Sequence, residues 1–213
     1  MLLVERLRFI ACVNGMMPSA LRAFVAHPSR ENYLQARQEL LAASSRSLDA
    51  AALDSLSLLA DAGDVRGLSS SLDALPPIAA LVPRVHYYAA LAAEALGDEE
   101  DLELERMLLV ICLRAILMSG DGSEEAPYVV CSATDELDLL SELELAADSK
   151  SLVHRGDRVF DVVHCEDGSE IWFDASAMVS IPAETPILSP ARKESGIRCA
   201  KPKARRRLSR TGR

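Results

Sequence analysis

A histidine and two aspartates are the residues of this 213-residue chain best placed to do chemistry together. Asp161 and Asp174 lie on either side of an Asp167-Gly168 turn, inside the alternating stretches Val159–Cys165 and Glu170–Asp174. Read as a two-residue hairpin, this turn sets Phe173 opposite Val162 and Ile171 opposite His164. Phe160, Val162, Ile171 and Phe173 then share an apolar face expected to pack on a helix, and Asp161, Val163, Trp172 and Asp174 share the other. A Gly156-Asp157 turn read the same way brings His154 beside Asp161. One imidazole and two carboxylates so placed could hold a cation, or serve as acid and base. Two carboxylates directly opposite one another are unfavourable, however, and a solvated sheet face accounts for the same residues. His154, Asp161 and Asp174 therefore stand as a polar cluster, with no catalytic residue, metal ligand or cofactor assigned.

Trp172 is the only tryptophan, and this register puts it on the wet face, as a seal against the helical half or an anchor for a partner. The loop GDGSEEAPYVV, Gly120 to Val130, resembles a ligand loop cut short. It lacks the Gly-Lys-Ser/Thr of a phosphate loop, and Asp121, Glu124 and Glu125 would repel a phosphate. A calcium loop needs ligands at alternating positions over about twelve residues, and Pro127 interrupts that run. The segment reads as a joint: Gly120 and Gly122 stop a long helix that begins near Glu100, and Tyr128 opens a strand. Near the C-terminus, Lys201, Lys203, Arg205, Arg206 and Arg207 could contact phosphates without sequence preference. They have no aromatic neighbours on which bases would stack.

The elements that must position these residues fall into two periods. In the first half, Leu34, Leu68 and Leu102 recur every 34 residues, as do Leu41, Leu75 and Leu109, and Ser29, Gly63 and Gly97. The glycines precede Asp64 and Asp98, where a helix C-cap hands over to an N-cap carboxylate. Helical hairpins that bury their apolar faces by stacking produce such a pattern. In the second half the pattern shortens, and residues 126–180 are expected to run β-α-β-β-β, with Thr134 capping the helix. The fold class expected is α+β, divided into a helical domain at 1–119, a small α+β domain at 120–180, and a Pro-containing linker and basic tail at 181–213.

Two resemblances follow from these residues. The period and the small-Gly-Asp turns over about residues 17–117 resemble tetratricopeptide repeats, with Ala90 at a position where that family wants a small residue and Leu56, Leu68 and Leu102 departing from it. The run from GDG through DELDLL, SLVHRGDRVFDVV and EIWFDAS resembles a family of uncharacterised bacterial proteins. The matching positions include Gly120, Asp121, Gly122, Tyr128, Glu136, Leu140, Ser151, Asp161, Phe173 and Asp174. That resemblance implies bacterial origin and supplies no catalytic residues.

Charge completes the reading. Residues 192–213 hold ten basic residues and one acidic residue, and the remaining thirteen basic and thirty-one acidic residues leave −18 on the rest of the chain. An acidic body favours a basic protein partner. Five cysteines without a C-x-x-C pair fit reduced thiols in a cytoplasmic protein, and the most apolar stretch, broken by Arg114, is too short to span a membrane. The function expected is a non-enzymatic protein-interaction or adaptor module. The alternatives are a cation-binding protein or hydrolase using His154, Asp161 and Asp174, and a nucleic-acid-associated protein acting through its tail.

Overall fold

A computed structural model describes residues 17–44 and 48–178. Among them, seven α-helices precede or interleave with one four-stranded sheet, an α+β arrangement. The helices α1 (Ser19–Ala26) and α2 (Arg30–Ala43) form one hairpin, α3 (Ala50–Asp61) and α4 (Val65–Asp73) a second, and α5 (Pro83–Leu96) and α6 (Glu99–Ser119) a third. The turns fall where the 34-residue spacing places them. Ser29, Asp64 and Asp98 each cap the second helix of a hairpin, accepting from the backbone N–H of Asn32, Gly67 and Asp101. Gly63 and Gly97 adopt left-handed φ values of 68° and 71° just before the two aspartates. The second hairpin packs on α5, in serial order. The first instead lays α2 on α6 and on the 3₁₀ turn Pro77–Leu81.

The sheet contains β1 (Tyr128–Val129), β2 (Ala147–Arg155), β3 (Arg158–Cys165) and β4 (Glu170–Asp174), with α7 (Ala133–Glu142) after β1. This is the β-α-β-β-β order that the sequence predicts. In space the strands run β1-β4-β3-β2, with β1 parallel to β4 and the others antiparallel. The cap of α7 is Ser132 rather than Thr134: it forms a capping box in which Asp135 accepts from the Ser132 backbone N–H at 3.0 Å. One contiguous core joins the two halves, running from Phe24, Tyr33 and Leu40 through Leu81, Leu108 and Ile116 to Leu139, Val163 and Phe173.

The short strand β1 is held on its outer side by helices. The Tyr33 hydroxyl donates to Val129 O at 2.9 Å, and the Arg37 guanidinium to Val130 O at 3.1 and 3.2 Å. The Val129 N–H donates to the Ser119 hydroxyl at 2.8 Å. Groups that a bare sheet edge would leave open are thus paired with α2 and α6.

The register between β3 and β4 differs by one residue from the one predicted. Phe160 pairs with Asp174, Asp161 with Phe173, Val162 with Trp172, Val163 with Ile171 and His164 with Glu170. The cause lies in the turn. Gly168 N–H donates to Cys165 O and Cys165 N–H to Ser169 O, so the loop holds three residues, Glu166-Asp167-Gly168. Gly168 takes a φ of 87°, the left-handed residue that ends a three-residue hairpin. One extra loop residue turns every side chain of β4 over relative to β3. The helix-facing set is therefore Val159, Asp161, Val163, Ile171 and Phe173, while Phe160, Val162, Trp172 and Asp174 lie on the other side.

Candidate functional site

The new register divides the predicted polar cluster. Asp161 lies on the face toward α7 and Asp174 on the opposite face. Asp174 is bound there by Arg158 at 2.9 Å. Burial works to raise its carboxyl, but hydrogen bonds from Ser176 and Arg158 outweigh burial and hold it below the usual aspartate range. His154 pairs with Val159 across β2 and β3, so it does share the side of Asp161, but it stands exposed near the hairpin tip. The three residues do not form one site.

Asp161 instead joins a different set. Helix α7 starts beside the sheet because Ser132 and Asp135 cap it there, and its first turn delivers Glu136 to the sheet's inner face. Across from it, β2 delivers Lys150. The Lys150 ammonium lies 2.8 Å from Glu136 and 2.5 Å from Asp161. Glu136 and Asp161 are 2% and 7% exposed, and the Lys150 side chain is 38% exposed, so this side chain is the open wall of the cluster. One ammonium cannot neutralise two buried carboxylates. Burial first, then the adjacent Asp161 carboxyl, favour the neutral form of Glu136 and push it up to about 8 against the pull of Lys150. Glu136 Oε1 is buried and has no hydrogen-bond partner.

The preceding residue repeats this state. Asp135 is fully buried, accepts from the backbone N–H of Cys131 and Ser132 at 2.7 and 3.0 Å, and leaves Oδ1 unpaired. Burial raises it to about 7 in spite of these two donors. Glu136 and Asp161 both belong to the positions that carry the resemblance of the second half to an uncharacterised family. Lys150 does not, and its part is invisible without the long β2, which begins at Ala147 rather than near Leu152.

Trp172 is half-buried on the outer face, edge-on to Phe160 at 5.9 Å between centroids. Arg155 lies over its ring at 5.9 Å and Arg158 over Phe160 at 4.7 Å. Each arginine is also paired with a carboxylate, Glu124 and Asp174 respectively. Trp172 is thus part of a ladder that covers the outer face, away from the seam with the helices.

The GDG loop is a structural joint. Asp121 and Gly122 donate to Ala126 O at 2.8 and 3.1 Å, and Trp172 N–H donates to Gly122 O at 2.8 Å, tying the loop to β4. A Cβ at Gly120 would come within 2.3 Å of the Ala126 carbonyl oxygen. Only glycine allows that approach.

A second feature lies in the helical half. His86 is buried, with Nδ1 2.7 Å from Glu105 and Nε2 3.1 Å from Ala80 O, so both ring nitrogens face acceptors. Burial opposes the charged ring, but Cys112 and Glu105 outweigh it and hold His86 up at about 10. Glu105 also lines a groove of about 150 Å³ between α4, α5 and α6, whose floor is Leu72, Ala89, Ala92 and Ala93 and whose rim includes Leu96, Asp98 and Asp101. Leu96 is 67% exposed there.

The described cysteines Cys112, Cys131 and Cys165 are free and buried. Among the described residues no group of three His, Cys, Asp or Glu side chains is placed to hold a metal, and no helix is long and apolar enough to cross a membrane. The tail residues Lys201, Lys203, Arg205, Arg206 and Arg207 lie outside the described residues. A family model described as Domain of unknown function (DUF4919) matches residues 77–183, taking in α5 and α6 together with the sheet. Neither the curated proteins nor the solved structures provide a match.

Proposed function

The chain belongs to the Domain of unknown function (DUF4919) family, and on that premise we propose that it is a non-enzymatic adaptor that binds a basic segment of another protein. The observation that carries this reading is the groove between α4, α5 and α6: an apolar floor, an exposed leucine and two rim carboxylates, Asp98 and Asp101, in about 150 Å³. That volume suits one long side chain, and an apolar stem ending in a positive charge matches both the floor and the rim. The serial packing of α3 and α4 on α5 supports reading the hairpins as tetratricopeptide-like, with the groove on the surface that such stacks present. Free, buried thiols support a reducing compartment, the cytoplasm, and the motif resemblance of the second half supports a bacterial source.

Titrating labelled peptides that alternate Leu and Lys against the full chain tests the proposal. Binding should weaken as salt rises and fall roughly tenfold or more in Leu96→Arg, which puts a positive charge at the rim. Equal binding of a Leu-Glu peptide, or indifference to Leu96→Arg, would sink it.

A second reading is favoured by the Lys150 ammonium held between two buried carboxylates: an acid–base centre made by Glu136, Lys150 and Asp161, in place of the His154, Asp161 and Asp174 set. It requires Glu136 to titrate near neutral pH, which carboxyl-labelled NMR reads directly. A midpoint in the ordinary glutamate range would remove it. The nucleic-acid reading rests on tail residues outside the described range. Salt-sensitive DNA binding lost on deleting residues 190–213 would support it.

A further inference from the structure

From Met107 to Ser119 helix α6 carries a single charged residue, Arg114, a composition that soluble proteins keep for helices covered on most sides. One side of it is not covered. Met107, Val110 and Met118 are 38%, 44% and 42% exposed, although the opposite side of the helix is core. On the outward side the exposed residues Glu103, Met107, Val110 and Arg114 follow one another in steps of four, three and four, with Arg106, exposed and 3.9 Å from Glu94, beside Met107. That spacing draws a straight seam along a helix and suits a second helix laid against it.

The seam also reads the same in both directions. The midpoint between Met107 and Val110 is the midpoint between Glu103 and Arg114 as well. Two copies laid antiparallel about that point set each Met107 against the other copy's Val110, and each Glu103 against the other copy's Arg114. Neither Glu103 nor Arg114 forms an ion pair with another described residue. We propose that the exposed face of α6 is a dimer contact, on which a second copy of this chain docks antiparallel, with an apolar centre flanked by two Glu103–Arg114 ion pairs. The contact is isologous, so one surface serves both partners. It is also small: the span from Glu103 to Arg114 is about 16 Å of helix, which puts the pair at the weak, micromolar end of protein association. The contact is separate from the groove between α4, α5 and α6 and does not rest on it.

Sedimentation equilibrium of the full chain, from low micromolar to near-millimolar concentration, tests the proposal. A monomer–dimer equilibrium is expected. Glu103→Arg and Arg114→Glu each place like charges across both flanks, and each should weaken the dimer roughly tenfold or more. The double variant recreates both ion pairs with their signs exchanged and should restore association. All four side chains of the seam are exposed, and unchanged melting curves establish that the variants fold. Four results would overturn the proposal: a monomer at every concentration; a dimer indifferent to the single changes, which uses another face; a dimer that both single changes weaken but the double variant does not restore, which excludes this register; or a monomer that dimerises only after residues 1–16 are removed, which assigns the face to the chain's own N-terminal segment.

Discussion

The helical half and the sheet half each bury a salt bridge, and they balance its charges in different ways. Around His86, one cation meets one carboxylate, and the second ring nitrogen meets a carbonyl. Around Lys150, one cation meets two carboxylates, and a third carboxyl, Asp135, lies one residue away. The first arrangement is complete and keeps its ions. The second has more carboxyls than cations, and two buried oxygens remain without partners. Buried ion pairs stabilise a fold only when their remaining hydrogen-bonding capacity is met, so the helical half holds a structural pair and the sheet half a titratable one.

The largest expected effect breaks the complete pair. Glu105→Ala leaves the His86 ring buried without its acceptor and should cost about 3–5 kcal/mol, read as a lower midpoint in urea at constant slope. A cost below about 1 kcal/mol would mean that the pair is not held as described.

Next comes Lys150→Met, which removes the ammonium from between Glu136 and Asp161. The lysine is partly exposed, so about 2 kcal/mol is expected at pH 8, shrinking toward pH 5 as Glu136 takes up a proton. A loss independent of pH would show that Lys150 matters for packing alone.

A third test separates the two halves by pH. Glu136 rises from 4.5 to about 8 and Asp135 from 3.8 to about 7, so the folded chain binds these protons more tightly than the unfolded one. Stability from a raised group is whole below the unfolded value and lost as pH climbs through the folded one. The sheet half should therefore lose stability between about pH 4 and 8. His86, raised from 6.5 to about 10, has the same sign in a later window, from about 6.5 to 10. Melting temperature followed from pH 5 to 10 should fall throughout, and Glu136→Gln should flatten only the earlier part. A rising curve between pH 5 and 8 would contradict both assignments.

Much of this scaffold was legible in the residues because its signals are local. Ser29, Gly63-Asp64 and Gly97-Asp98 mark hairpin turns through caps that act within three residues, and the change of period at Gly120 marks where helices give way to strands. The site was less legible because it depends on register. The left-handed φ of Gly168 lengthens a turn by one residue, and no alternation of apolar residues separates a two-residue turn from a three-residue one. That single step parts Asp161 from Asp174. Lys150 was missed for a different reason: ADSKSLVHR has few β-branched residues and little alternation, and it becomes a strand because β3 pairs with it. Glu136 looked like an ordinary acidic first turn, and only the packing of α7 on the sheet makes it buried.

The hold of α2 on β1 also sets a schedule for synthesis. Tyr33 and its acceptor, Val129 O, are 96 residues apart in the chain. At roughly 5–20 residues per second, a ribosome delivers the acceptor about 5–20 s after the hydroxyl has emerged. Through that interval the first helices stand without the strand they later clasp, while the parallel β1–β4 pair waits longer still for Phe173. Among the described elements the sheet is thus the last to close, and it closes onto helices that have already left the tunnel.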